Sequence, residues 1–185
     1  SSDLGSISIG LDGYDHGVIG AIASAARATA IGADSLASGI GSISIGRDSD
    51  STALDSVALG TISAATADAS TAVGQQSSAS AVAATALGRL ATASEANATA
   101  VGAGANASGI GSLSLGLLSG ASADQSVAIG ENAQASQTNS VALGSGSVAD
   151  AANTISVGSN GSARRIVNVA DGTQPNAAVT LGQLN

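Results

Sequence analysis

Along most of this chain the large aliphatic residues come in pairs that bracket one small residue, and each pair runs into a glycine. Ile43 and Ile45, Val57 and Leu59, Leu113 and Leu115, Val127 and Ile129, Val141 and Leu143, and Ile155 and Val157 are such pairs. The closing glycines are Gly32, Gly46, Gly60, Gly74, Gly88, Gly102, Gly116, Gly130, Gly144 and Gly158, each fourteen residues after the last. Gly10 closes an earlier copy, twenty-two residues before Gly32, which is one period plus eight inserted residues. A short fixed period is the mark of a solenoid, in which each repeat is one coil stacked on its neighbour.

Counted from the closing glycine, position −1 is always Ile, Leu or Val, and position −3 is Thr, Val, Ile or Leu. Positions −2 and −4 hold only Ala, Ser or, once, Thr154. This alternation predicts a strand with two unlike faces. After the glycine, position +3 is Ala, Ser or Gly and position +5 is Ala or Ser, while +4 varies freely through Leu36, Asp50, Thr92, Asn106, Gln134 and Val148. A second strand is therefore expected, small on its buried side and variable on its wet side. Each coil then holds two short strands and two turns, marked by glycine and by polar stretches such as residues 136–139. Stacked at about 4.8 Å per coil, the repeats make a rod roughly 50 Å long. Sheets that meet only through Ala and Ser must lie closer than the usual spacing of about 10 Å.

That arrangement leaves the aliphatic columns facing outward along the whole rod, a patch far larger than a soluble monomer normally exposes. Self-association is the simplest cover, because a repeating column can mate with the same column of an identical chain about a closed axis. The residues expected at such an interface are Ile43, Ile45, Val57, Leu59, Val73, Leu87, Val101, Leu113, Leu115, Val127, Ile129, Val141, Leu143, Ile155 and Val157. The rival reading puts the aliphatic columns inside a wider single-chain solenoid with Ala and Ser outside, which would leave the second segment with no apolar side chain to pack against them.

Composition narrows the picture. The 185 residues include no Phe, Trp, Met or Cys and one tyrosine, Tyr14, so a core of interlocked large side chains is excluded. The bias is periodic and aliphatic, unlike that of a disordered chain. A net charge of −8 argues against a nucleic-acid partner. No run approaches the roughly 18 apolar residues of a membrane span, and the first residues lack a signal-peptide pattern, so a soluble segment is expected with any export address or membrane anchor outside it.

Candidate chemistry is sparse. His16, the only imidazole, is flanked by Asp12 and Asp15, but the serines around it are repeat positions without a nucleophile elbow, and a solvated loop is the simpler reading. Residues 102–107 spell a dinucleotide-type G-x-G-x-x-A, yet these are a repeat glycine and a small-residue strand with no helix to follow. Asp34, Asp48, Asp50, Asp55, Asp68, Asp124 and Asp150 fill no common column, unlike the aspartates of calcium-binding rolls. No catalytic, cofactor or metal site is expected.

The word "SVALG" or "SVAIG", preceded by the small-x-small pattern seen at Ala133 to Ala135, resembles the head repeat of YadA-like trimeric autotransporter adhesins of Gram-negative bacteria, over residues 4 to 163. Residues 164–185, "RRIVNVADGTQPNAAVTLGQLN", are similar to the neck that joins such heads to a coiled-coil stalk, although Ala177, Ala178, Val179 and Thr180 replace the usual Asp-Ala-Val-Asn. The resemblance implies an all-β fold: a left-handed parallel β-roll in each chain, three rolls forming a homotrimer, a head over 1–163 with an insertion around 11–27, and a neck over 164–185. In the neck, Ile166, Val167, Val169, Val179, Leu181 and Leu184 are the expected packing residues, and Arg164 and Arg165 either contact Asp171 across chains or are solvated. It further implies a fibre on the bacterial surface, anchored in the outer membrane through regions outside this segment, that binds host cells or extracellular-matrix proteins such as collagen. Two other functions use the same rod. A passive spacer would hold a more distal binding domain away from the cell, and an ice-binding solenoid would need an unbroken threonine column, which Ile43 and Val57 interrupt among Thr29, Thr71, Thr85 and Thr99.

Overall fold

The computed structural model of the chain describes residues 5–10 and 20–184. Tyr14, His16 and their flanking aspartates, along with most of the inserted segment, lie outside the described residues. Strands of three residues, from Ile7–Ile9 and Thr29–Ile31 to Val141–Leu143, with Ile155–Ser156 last, form an eleven-stranded first sheet. Two-residue strands from Ile22–Ala23 to Val148–Ala149 alternate with them along the chain and form a ten-stranded second sheet. Every pairing is parallel, and the chain winds between the sheets as a β-solenoid.

The register follows the sequence period. Thr85 pairs with Thr99, Ala86 with Ala100 and Leu87 with Val101. At the first coil Ile7 pairs with Thr29 and Ile9 with Ile31, so the strands before and after the insertion keep the regular pairing. Ile22 already pairs with Leu36 at the regular interval, so the coil geometry is in force from that residue on.

Between the two sheets lie only small side chains. Among the described residues every buried hydrophobic side chain is an alanine, and the buried polar ones are serines. Positions −2 and −4 of the first strand, such as Ala86 and Ala84, face positions +3 and +5, such as Ala91 and Ala93, and all four are fully buried. The wider single-chain solenoid with its aliphatic residues inside is thereby ruled out. How near the sheets stand is visible where both facing residues are serine: Ser44 Oγ lies 2.7 Å from Ser49 Oγ, and the same distance separates Ser51 from Ser56 and Ser114 from Ser119. Serines facing an alanine turn to the backbone instead, as Ser63 Oγ does in donating to the Gly60 carbonyl at 2.9 Å. Buried hydroxyls need such partners, because an unmatched one costs about 1–3 kcal/mol.

Close coils also explain the closing glycine. Gly88 has φ of 136°, and a Cβ built there would lie 2.5 Å from the carbonyl oxygen of Gly102 in the next coil. Both the backbone conformation and the space exclude a side chain. The turns are stitched from coil to coil as well: the Ile62 amide donates to the Arg47 carbonyl at 2.9 Å and Asp55 to Ile40 at 2.9 Å. Each coil uses two left-handed residues, at +2 and +9, where Asp, Asn, Gln and Gly are frequent but Ile62, Leu90 and Leu118 also occur.

Two substitutions test this core in opposite directions. Ala142→Leu forces a large side chain between sheets that touch through methyl groups, and should lower stability by about 1–3 kcal/mol or more; an unchanged melting temperature would mean the faces are reversed. Ser42 Oγ is buried with no hydrogen-bond partner, and alanine occupies the same position at Ala84 and Ala98. Ser42→Ala should therefore raise stability by about 1 kcal/mol, read as a higher midpoint in urea.

Candidate interaction surface

The alternation that buries Ala and Ser places positions −3 and −1 on the outer face of the first sheet. Strands Val57–Leu59 and Val127–Ile129 show it directly, with the central alanine buried and both neighbours half-buried. Ile43, Val57, Val73, Val101, Leu113, Val127, Ile129, Val141 and Leu59 are half-buried in the isolated chain, while Ile45, Leu87, Leu115, Leu143 and Ile155 are exposed, Ile155 by 71%. Val157 follows the last strand and is half-buried. Neighbouring rungs shield one another along the rod, yet nothing among the described residues covers the face. The result is two parallel aliphatic ladders at strand spacing, a flat contiguous apolar surface. Thr71, Thr85 and Thr99 form a milder stretch of the −3 column near the middle.

The outer face of the second sheet is of another kind. Its column runs through Ile22, Leu36, Asp50, Ala64, Ser78, Thr92, Asn106, Gly120, Gln134 and Val148, with adjacent large apolar residues only in the Ile22–Leu36 pair. Asp50 stands between Leu36 and Ala64 in the pairing, and its carboxyl is held above the usual carboxylate range, first by burial and then by the charge of Asp48. Asp48 itself takes the Arg47 guanidinium at 2.5 Å. Residues 102–107 form a turn and the strand Asn106–Ala107, so the dinucleotide-like string offers no helix N-terminus. Among the described residues no group of three His, Cys, Asp or Glu side chains is placed to hold a metal ion.

At the C-terminal end the roll is closed by a side chain. Arg164 Nη1 donates to Ser147 Oγ and to the Val157 carbonyl, each at 2.9 Å, and its Nη2 donates to the Ser145 carbonyl. Its guanidinium lies against Gly144, where a Cβ would meet it at 3.2 Å. An end strand offers unpaired backbone groups to any passing strand, and here an always-charged planar fork occupies that end. Within the chain Asp171 Oδ1 accepts from Thr180 Oγ1 at 2.7 Å, while the Arg164 guanidinium is taken by the end of the roll. Sequence reasoning missed the plug, and its only signal was an arginine one residue after the last small-residue position.

Residues 165–184 fold back on themselves. Gln183 clasps Gly172, its Oε1 accepting from the Gly172 amide at 2.8 Å and its Nε2 donating to the Gly172 carbonyl at 2.9 Å. The short helix Leu181–Gln183 follows Thr180. Ile166, Val167, Val169, Val179, Leu181 and Leu184 are all exposed in the single chain, and all but Leu184 line one shallow apolar groove. These six residues therefore share the condition of the aliphatic ladders: apolar, aligned and uncovered.

Comparison with known proteins matches a family profile and solved structures. A family profile described as the YadA head domain repeat, two copies long, matches in successive overlapping windows from residues 23–49 to residues 135–160. Among solved structures, the crystal structure of the collagen-binding domain of the Yersinia adhesin YadA is similar at 26% identity and a TM-score of 0.65, over 98% of this chain and 96% of that one. A comparison with curated protein sequences returned no match.

Proposed function

The chain belongs to the family of YadA head domain repeats, and on that premise we propose that it is the non-catalytic adhesive head of a bacterial surface fibre, a homotrimer that attaches the cell to extracellular-matrix or host-surface proteins, with collagen-like ligands the first candidates. The observation that carries this reading is likeness over nearly the full length of both chains to a domain whose own description is collagen-binding.

The exposed ladders account for the trimer. Three chains turned with the outer faces of their first sheets to a common axis bury Ile43, Ile45, Val57, Leu59, Val73, Leu87, Val101, Leu113, Leu115, Val127, Ile129, Val141, Leu143, Ile155 and Val157 against their counterparts. Each gains a part of the about 1.5–3 kcal/mol that full burial of an exposed aliphatic side chain provides, because most are already half-buried. Below them Ile166, Val167, Val169, Val179, Leu181 and Leu184 pack the neck, where the three chains draw together toward a stalk. The outer faces of the second sheets then point outward. They are flat, finely textured and repeated three times about the axis and many times over a cell surface, which favours many weak contacts summed by avidity over one deep pocket. Anchorage in the outer membrane falls to regions beyond these residues.

Sedimentation equilibrium should give three times the chain mass, and replacing Val127 and Ile129 by Asp should lower the assembly to monomers, since charges would be buried at the axis; an undisturbed trimer would count against this interface. The trimeric head should bind at least one of collagen, fibronectin or laminin saturably in a surface assay, and the monomeric variant should lose most of that binding. A stable trimer with no binding to any matrix or cell-surface preparation would identify a spacer instead.

A further inference from the structure

The aliphatic ladders have a weakness as an interface. Position −1 is Ile, Leu or Val in every coil, so one copy displaced along the axis by a whole coil, about 4.8 Å, meets nearly the same surface. A uniform ladder holds chains together but specifies register poorly.

The two edges of the roll carry a pattern with twice that period. On the edge formed by the turns after the closing glycine, position +2 is Ile62, Leu90 and Leu118 in alternate coils, with Gln76 and Gly104 between. On the opposite edge, position +8 is Leu54, Val82 and Ile110, again in alternate coils, with Asp68 and Ala96 between. All six aliphatic residues are between 43% and 56% exposed. Ile62, Leu90 and Leu118 moreover sit at φ of 59°, 61° and 53°, a conformation that strains any residue with a branched or bulky side chain and that glycine or asparagine would adopt more readily. The turn imposes this conformation at +2 of every coil from Asp34 to Gly146; a bulky apolar side chain in place of Gly, Asp or Asn there is not accounted for by the packing of the described residues, and points to a use for the side chain.

The two edges match in height. Ile62 falls between the turns of Leu54 and Asp68, Leu90 between those of Val82 and Ala96, and Leu118 between those of Ile110 and Asp124. Asp68 and Asp124 turn along the rod, their Oδ1 atoms accepting from the Leu54 amide at 3.1 Å and the Ile110 amide at 3.0 Å, which leaves the aliphatic side chain as the feature of each pair of turns. Charge agrees with the same alignment: Arg89 has no ion pair among the described residues, and Glu95 stands on the opposite edge at its level. Ile40, the other exposed aliphatic residue of the +8 column, has Asp34 and Asp48 at its levels and stands outside the pattern.

We propose that these edges mate between copies of this chain: Ile62, Leu90 and Leu118 of one copy pack against Leu54, Val82 and Ile110 of the next, Arg89 pairs with Glu95, and the two-coil alternation sets the axial register of the assembly. The inference rests on the trimer reading. With the first sheets facing a common axis, rotational closure brings one edge of each roll against the other edge of its neighbour. A one-coil slip in one direction would set Ile62 and Leu118 against Asp68 and Asp124 and Leu90 against Ala96. In the other it would set Leu90 and Leu118 against Asp68 and Ala96, with Ile62 alone meeting an aliphatic residue, Ile40, and either slip would move Arg89 off Glu95.

The chain has no cysteine, so paired cysteines report the alignment cleanly. Leu54→Cys with Ile62→Cys, oxidised in the full chain, should give covalently closed trimers on a non-reducing gel, whereas Leu54→Cys with Leu90→Cys, two coils out of step, should give at least tenfold less. Equal yields from both pairs, or a sedimenting trimer with no Leu54–Ile62 link, would overturn the register proposal while leaving the trimer intact; a chain that sediments as a monomer would remove both. As a second readout, Ile62→Gly, Leu90→Gly and Leu118→Gly together relieve the strained turns and delete the packing, so the chain should keep its fold while the trimer dissociates at a concentration at least tenfold higher. Unchanged dissociation would overturn the proposal.

Discussion

The separation of the two sheets governs the rest of the structure. A coil of fourteen residues encloses room for one methyl or hydroxymethyl group from each side and nothing larger, so Ala and Ser fill positions −4, −2, +3 and +5 without exception among the described coils from Gly46 to Gly130. Every large apolar residue is consequently driven to the outside. A chain that is 44% hydrophobic thus has almost no hydrophobic bulk inside, and its individual stability comes from the continuous ladders of parallel backbone hydrogen bonds and the dispersion contacts of tightly spaced small groups. The apolar surface that an ordinary domain buries within itself is here left on the outside of the roll.

The same spacing explains why so much of the fold could be read from the sequence. A period carried by eleven copies fixes the strands, their register and the small-residue face, because the only way to satisfy an Ala/Ser column on both strands is to set those columns against each other. The closing glycine is equally legible once the coils are stacked, since Gly88 meets the carbonyl of Gly102 directly. Less legible were features that break the period or act once. Arg164 closes the roll through three acceptors spread over residues 145–157, and no local pattern announces a single side chain used as a lid. The clasp of Gln183 on Gly172 joins positions that have no periodic relation. The unpartnered Ser42 hydroxyl is invisible in a sequence where serine at that position is ordinary.

The candidate surfaces divide along the same line. The outward columns were readable because alternation assigns them to one face, and the structure places them there with no other described residue above them. The edge residues escaped notice because their meaning depends on two turns half a coil apart in height, a relation that appears only when the coils are stacked and that the left-handed backbone at Ile62, Leu90 and Leu118 draws attention to. Three residue sets are thus kept apart: small residues between the sheets, aliphatic columns on the outer face of the first sheet, and exposed aliphatic turn residues on the edges.

The direction of the hydrogen bonds has a mechanical side. In this roll they run along the rod, from each coil to the next, so tension between the two ends pulls across one ladder at a time and peels coils instead of shearing the whole sheet. A freed coil of fourteen residues extends to roughly 48 Å at about 3.4 Å per residue while the rod loses only about 4.8 Å of height. Pulled from its C-terminal end, the rod would part first at the Arg164 plug and then pay out chain about tenfold, so it is stiff at rest and extensible under axial load.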